Sequence, residues 1–141
     1  MTTPLACPAC AGTWPRPDFR IADLDASIAY LHEDQFFPGW TLLVLKRHAT
    51  ELFALDAKER TTLIEEVSAV AHALARVFGA VKMNYELLGN QIAHIHWHLV
   101  PRLAGDPRGK EPVWLQEHAA RALPEAERIE RIARIRAMLG R

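Results

Sequence analysis

The sequence predicts an α+β fold in which an antiparallel sheet carries its helices on one side. Three observations point there. Apolar residues alternate or run together in four short segments, 27–31, 40–45, 81–88 and 92–100. A stripe at helical spacing, Leu63, Val67, Val70, Leu74 and Val77, places one long helix between the second and third of them. The strands come in adjacent pairs rather than alternating with helices, and no glycine-rich phosphate loop is present, so a doubly wound nucleotide fold is excluded.

Each element has a local reason. Pro4, Pro8, Pro15 and Pro17 with Gly12 forbid regular helix over residues 1–20 and predict an extended arm that needs an anchor other than packing. Ser27–Leu31 is a short β-like run, interrupted by Glu33-Asp34-Gln35 and followed by the turn Phe36-Phe37-Pro38-Gly39. Segment 40–45 is almost continuously apolar, the pattern of a strand covered on both faces, and ends in Lys46-Arg47-His48. Asp56 and Glu59 form a capping box ahead of the long helix, and Gly79 supplies its left-handed end. Strand 81–88, a Gly89-Asn90 turn and strand 92–100, closed by Pro101, follow. Pro107, Gly109 and Pro112 mark a loop, and Pro124 opens a last helix with Ile129, Ile132, Ile135 and Leu139 inward. Residues 1–141 are expected to form one domain: the arm, a core over 28–103, and a loop with a C-terminal helix over 104–141.

Half of the 141 residues are hydrophobic, enough for a core without disulfide staples, and 17 basic residues balance 17 acidic ones. That neutrality removes the long-range field that would gather a nucleic-acid polymer or an anionic membrane. The longest apolar run is far short of the ~20 residues that span a bilayer. Two cysteines and no signal-like N-terminus predict a reducing, cytoplasmic setting.

Three of seven histidines fall in His94-Ile95-His96-Trp97-His98. On a strand they share one face at steps of about 6.6 Å, while Ile95, Trp97 and Leu99 face the core. Grouped imidazoles oppose one another's protonation, so the cluster is a liability without a use. Binding one metal through all three is awkward, because neighbouring ligand atoms of a tetrahedral zinc lie only about 3–3.5 Å apart. Covalent catalysis fits better: neutral His96 attacks phosphorus while a neighbouring imidazole binds phosphate oxygens.

These residues resemble a known family. Gly89-Asn90-Gln91-Ile92-Ala93-His94-Ile95-His96-Trp97-His98-Leu99-Val100-Pro101-Arg102 is similar to the signature of the histidine triad (HIT) nucleotide hydrolases and transferases. Pro38-Gly39-Trp40, the segment 43–48 and Met83-Asn84 follow in the family's order, so the resemblance covers residues 28–103. It implies a five-stranded antiparallel sheet with two helices, a homodimer, and cleavage of a nucleotide ester, dinucleoside-polyphosphate-like anhydride or phosphoramidate through a nucleotidyl-His96. The nucleotide is expected to be adenosine-type, and no metal is required for the chemistry. His98 is expected on the phosphoryl oxygens and His94 completes the triad. Asn84, Gly89, Asn90 and Gln91 are expected to line the substrate, with Asp34 on the ribose. Two positions depart from the family pattern: Gln91 stands where members often carry Ser or Thr, and Trp40 where they often carry His. A glutamine cannot relay a proton as a hydroxyl does. The alternative is therefore a non-catalytic nucleotide-binding or zinc-stabilised regulatory module.

Cys7-Pro8-Ala9-Cys10 admits three readings: half a zinc site, a redox pair, or two ordinary thiols. A βαβ context for redox is missing, and His48 and His94 are the candidate further ligands. Resemblance to bacterial HIT proteins with an N-terminal Cys-x-x-Cys implies a structural zinc at Cys7, Cys10, His48 and His94. His32, His72 and His118 are expected to be solvated, as are Arg102, Arg108 and Lys110. Trp97 is expected in the core.

Overall fold

A computed structural model describes residues 4–106 and 110–141. Strands β1 (Arg20–Asp23), β2 (Ser27–Leu31), β3 (Thr41–Leu45), β4 (Lys82–Glu86) and β5 (His96–Arg102) form one antiparallel sheet in the order β1, β2, β3, β5, β4. Helices α1 (Ala57–Phe78) and α2 (Glu125–Leu139) cover one face, α1 against β2, β4 and β5 and α2 against α1 and β1. The main core joins Leu43 and Leu99 of the central strands to Val67, Val70 and Leu74 of α1 and to Ile132 and Ile135 of α2. This is the expected α+β architecture, with β3 central and buried throughout.

The helix ends are as the sequence dictates. The Asp56 carboxylate accepts from the Glu59 amide at 2.8 Å, Glu59 accepts from the Asp56 amide at 3.0 Å, and Gly79 sits at φ 64°. A second glycine is needed for space. A Cβ on Gly39, at φ 89°, would lie 2.6 Å from the Phe78 ring and 2.9 Å from Pro101.

Four local expectations are corrected. Strand β1 is hidden in the sequence because its register shifts between Arg20 and Ala22, burying Ile21 and Ala22 together and erasing the alternation. Strand β5 starts at His96, not Ile92, and runs through Pro101 to Arg102. Pro101 is tolerated because its missing N–H would face β3, whose pairing with β5 ends at Thr41↔Leu99. In α2, Ile132 and Ile135 are buried but Ile129 is 56% exposed. The arm, finally, does pack: Cys7, Pro15 and Phe19 are buried, and Ala9 and Trp14 lie against Tyr30, Leu42 and Val44.

Candidate active site and metal centre

The face of the sheet turned away from the helices carries the imidazoles. His96 and His98 lie opposite Val44 and Leu42, only 5% and 8% exposed, with ring centroids 5.2 Å apart. Nδ1 of His96 lies 2.7 Å from the His94 carbonyl, which can only accept, so the proton sits on Nδ1 and Nε2 keeps its lone pair. The indole N–H of Trp40 donates to Nδ1 of His98 at 3.1 Å, which leaves the ring proton of neutral His98 on Nε2. Burial holds both rings neutral. It lowers the His96 pKa against the opposing bond to His94, and with the neighbouring His96 and His32 it pushes His98 down to about 3. Both rings open onto a cavity of about 290 Å³, small for a ligand site, whose walls include Gly89, Asn90, Gln91 and Ile92.

Four further residues line the same cavity: Trp14, His32, Leu88 and Trp114. His32 is not solvated. It stacks on Trp40 at a centroid distance of 4.0 Å, accepts from the Asp34 amide at 3.0 Å, and burial lowers its pKa. The alternation Ile28, Tyr30, His32 carries it onto the histidine-bearing face, so extending strand β2 by its own period would have found it. Trp114 meets His98 edge-on at 5.1 Å and donates its indole N–H to Glu86.

Other expected residues lie elsewhere. Asp34 does not line the cavity; its carboxylate accepts from the amides of Phe36 and Arg121, both at 2.9 Å, and pairs with His118 at 2.7 Å. Burial works against its ionisation, but those amides and His118 hold its pKa below the usual value, while Asp34 raises that of His118. His118 is thus a tether for the C-terminal segment, stacked on Phe36 at 4.2 Å, rather than a solvated side chain. Asn84 borders an adjacent groove and accepts at 2.7 Å from Arg102. Arg102 itself is 2% exposed, paired with Asp106 at 2.7 Å and bonded to the Glu111 carbonyl at 2.5 Å, so it staples the segment after β5 to β4. Lys110 and His72 are exposed as expected, and Trp97 packs on the core side. Arg108, with Pro107 and Gly109, lies outside the described residues.

His94 does not share that cavity. Its ring joins Cys7, Cys10 and His48, whose ligand atoms all lie within 4.8 Å of one another. The closest approaches are 3.3 Å for Cys10 to His48 and for His48 to His94, 3.4 Å for Cys7 to His94, and 3.6 Å for Cys10 to His94. These are the ligand separations around a tetrahedral ion with Zn–N near 2.0 Å and Zn–S near 2.3 Å. Nε2 of His94 lies 2.6 Å from the Leu45 carbonyl, which fixes the proton there and turns Nδ1 toward the cluster. Both cysteines are free, and burial together with the neighbouring Cys7 raises the Cys10 pKa. The donor set therefore fits zinc.

A family profile described as the HIT domain matches residues 15–105. The chain belongs to the HIT family. A HIT protein of known structure from Sinorhizobium meliloti 1021 is 34% identical and superposes with a TM-score of 0.77, covering 83% of this chain and 86% of that one. A Zn-bound HIT family protein from Mycobacterium smegmatis shares the fold at 23% identity and a TM-score of 0.72, covering 98% of this chain and 96% of its own. The curated bis(5'-nucleosyl)-tetraphosphatase (asymmetrical) of Schizosaccharomyces pombe is 28% identical over 85 residues, 57% of this chain and 47% of that protein. This HIT chain thus spans about half of that relative's length.

In this HIT protein the Trp40 departure has a chemical use: an indole is a donor only, so it assigns the His98 tautomer. Gln91 lies exposed on the cavity rim, within the loop that Gly89 opens at φ 72°.

Proposed function

We propose that this HIT chain cleaves a nucleotide at its α-phosphorus through a nucleotidyl-His96 intermediate. The observation that carries the reading is a pair of opposite tautomers in one cavity: His96 with an unprotonated Nε2 beside His98 with a protonated one. Nε2 of His96 attacks phosphorus and a P–N bond forms. The bond to the leaving oxygen or nitrogen breaks, and the leaving group departs with that electron pair and takes a proton from solvent. Water then attacks the same phosphorus and gives up a proton to solvent while the P–N bond breaks with its electron pair returning to Nε2, releasing the nucleoside monophosphate and neutral His96. His98 Nε2–H and the backbone of 89–92 serve the charge on the phosphoryl oxygens. The S. pombe relative, named for a bis(5'-nucleosyl) tetraphosphate, supports a dinucleoside polyphosphate as substrate class; the adenosine base is carried by the sequence resemblance alone.

Incubation with diadenosine tetraphosphate and with an adenosine phosphoramidate tests this. Wild type is expected to release AMP, and His96→Ala to lose turnover by about 10³-fold or more. Unchanged turnover in His96→Ala refutes the covalent step; a wild type that binds AMP but turns over nothing is a binding module instead.

Zinc held by Cys7, Cys10, His48 and His94 would keep both thiols ionised and tether the arm, leaving His96 and His98 for phosphate. Metal analysis of protein purified without chelators is expected to give stoichiometric zinc, and well under that refutes the assignment. Two cysteines with no disulfide between them, held as such ligands, fit a reducing cytoplasm. No helix among the described residues is long and apolar enough to cross a membrane.

A further inference from the structure

Trp14 is the residue that the cysteine cluster brings to the active site. Between Cys7 and Trp14 the chain folds into a knuckle: the Ala11 amide donates to the Cys7 carbonyl at 3.0 Å, and those of Thr13 and Trp14 to the Pro8 carbonyl at 3.0 and 3.2 Å. Gly12, at φ 70°, makes the reversal. Trp14 is therefore held to the cysteine pair by its own backbone. Its ring lies on Tyr30, Leu42 and Val44 and meets His96 edge-on at a centroid distance of 4.9 Å.

The cavity lining combines two chemistries. His98 and the loop 89–92 supply hydrogen-bond donors suited to phosphate, whereas Trp14 and the apolar residues beneath it offer an aromatic wall with no charge to satisfy. Base-on-aromatic stacking tolerates any base and needs only a ring held in place. Trp14 is half-buried and has no helix or strand of its own; its contacts with Tyr30, Leu42 and Val44 and the buried Pro15 after it hold one side, and the knuckle, which Cys7 and Cys10 fix against His48 and His94, holds the other.

We propose that Trp14 is the base-contacting wall of the nucleotide pocket and that zinc at Cys7, Cys10, His48 and His94 sets nucleotide affinity by positioning it. The inference rests on the nucleotide reading of the site. Trp14 contacts the substrate, and the two cysteines act only through it.

Calorimetric titration of the full chain with AMP and, separately, with ribose 5-phosphate tests the assignment. Zinc-loaded and chelator-stripped protein are compared, as wild type, Trp14→Ala and Trp14→Phe, with circular dichroism as the folding control. Stripping is expected to weaken AMP binding to wild type by about tenfold, and Trp14→Ala to weaken it by about as much while loaded. Stripping Trp14→Ala should then add less than about threefold, Trp14→Phe should stay near wild type, and ribose 5-phosphate, which lacks the base, should bind all loaded variants alike. The proposal is overturned if Trp14→Ala leaves AMP binding unchanged, if it weakens both ligands equally, or if stripping costs it as much as it costs wild type. Loaded wild type that binds neither ligand refutes the nucleotide reading itself, and AMP binding indifferent to Trp14 refutes only this one.

Discussion

Trp40 reaches across from the start of β3 to hold Nδ1 of His98 while its ring carries His32, so one side chain serves two imidazoles. Trp40→Phe keeps most of the packing but removes the donor. With Nδ1 unpaired, neutral His98 samples both tautomers, and only one presents a proton to phosphate. The expected result is a fall in kcat/KM of about tenfold or more, the kinetic equivalent of the ~1–3 kcal/mol that an orphaned buried polar group costs. Steady-state rates on diadenosine tetraphosphate check it, with a far-UV circular dichroism spectrum like that of wild type at the assay temperature as the folding control. At this scale the histidine motif was legible in the sequence, since alternation alone put His96 and His98 on one face. The tautomers were not. They depend on which carbonyl or indole lies beside each ring, and the His94 carbonyl and Trp40 are placed by turns that periodicity does not describe.

Strand β5 begins at His96 because the chain before it turns: the His94 amide bonds the Ile92 carbonyl at 2.9 Å, and the Ile95 amide crosses to Ala49 at 2.8 Å. That turn separates His94 from its neighbours and sends its ring to the cysteines. Spacing predicted three imidazoles in a row, and the element boundary divided them into one ring beside the cysteines and two facing the cavity. The turn ahead of β3 is equally exacting. Gly39→Ala would drive a methyl into Phe78 and Pro101 at a backbone angle that alanine disfavours, so a loss of about 2–4 kcal/mol is expected, read from the urea midpoint. Asp56→Ala removes only the capping box of α1 and should cost about 1 kcal/mol by the same measurement. The cap and the helix stripe were plain in the sequence because both are contained within a few turns of one segment.

For the molecule as a whole, the buried imidazoles set the response to acid. Unfolded His98 accepts a proton near pH 6.5, and folded His98 refuses it until about pH 3. Its contribution to stability is therefore complete above pH 6.5 and is lost as pH falls from 6.5 toward 3, at up to about 1.4 kcal/mol per pH unit. His118 has the opposite sign: its raised pKa contributes below pH 6.5, and that contribution is lost as pH rises through the higher value. Urea midpoints at pH 7 and pH 4.5 should show a large acid loss in wild type and a smaller one in His98→Gln. Equal losses refute this account. Strand β4 ends the sheet, with Tyr85 exposed in a groove that it shares with Ile64 of α1. An open strand edge next to an apolar patch is the surface on which we propose that the homodimer forms. Light scattering is expected to give twice the 15.9 kDa chain mass, and Tyr85→Lys to shift it toward monomer.

The sequence by itself determined the helices and four of the five strands, and it marked out Cys7, Cys10, His48 and the triad as the chemistry-bearing residues. Patterns of period two and 3.6, caps and turn residues are local, so burial imposes them on the chain one segment at a time. Only the tertiary structure decided which of those residues work together. It withdrew Asp34 and Asn84 from the cavity by pairing Asp34 with His118 and Asn84 with Arg102, it buried Arg102 where solvation was expected, and it brought in His32, Trp114 and Trp14. It also parted His94 from His96, because the direction of the His94 ring, just ahead of the strand, is fixed by contacts with residues 46 to 87 positions away.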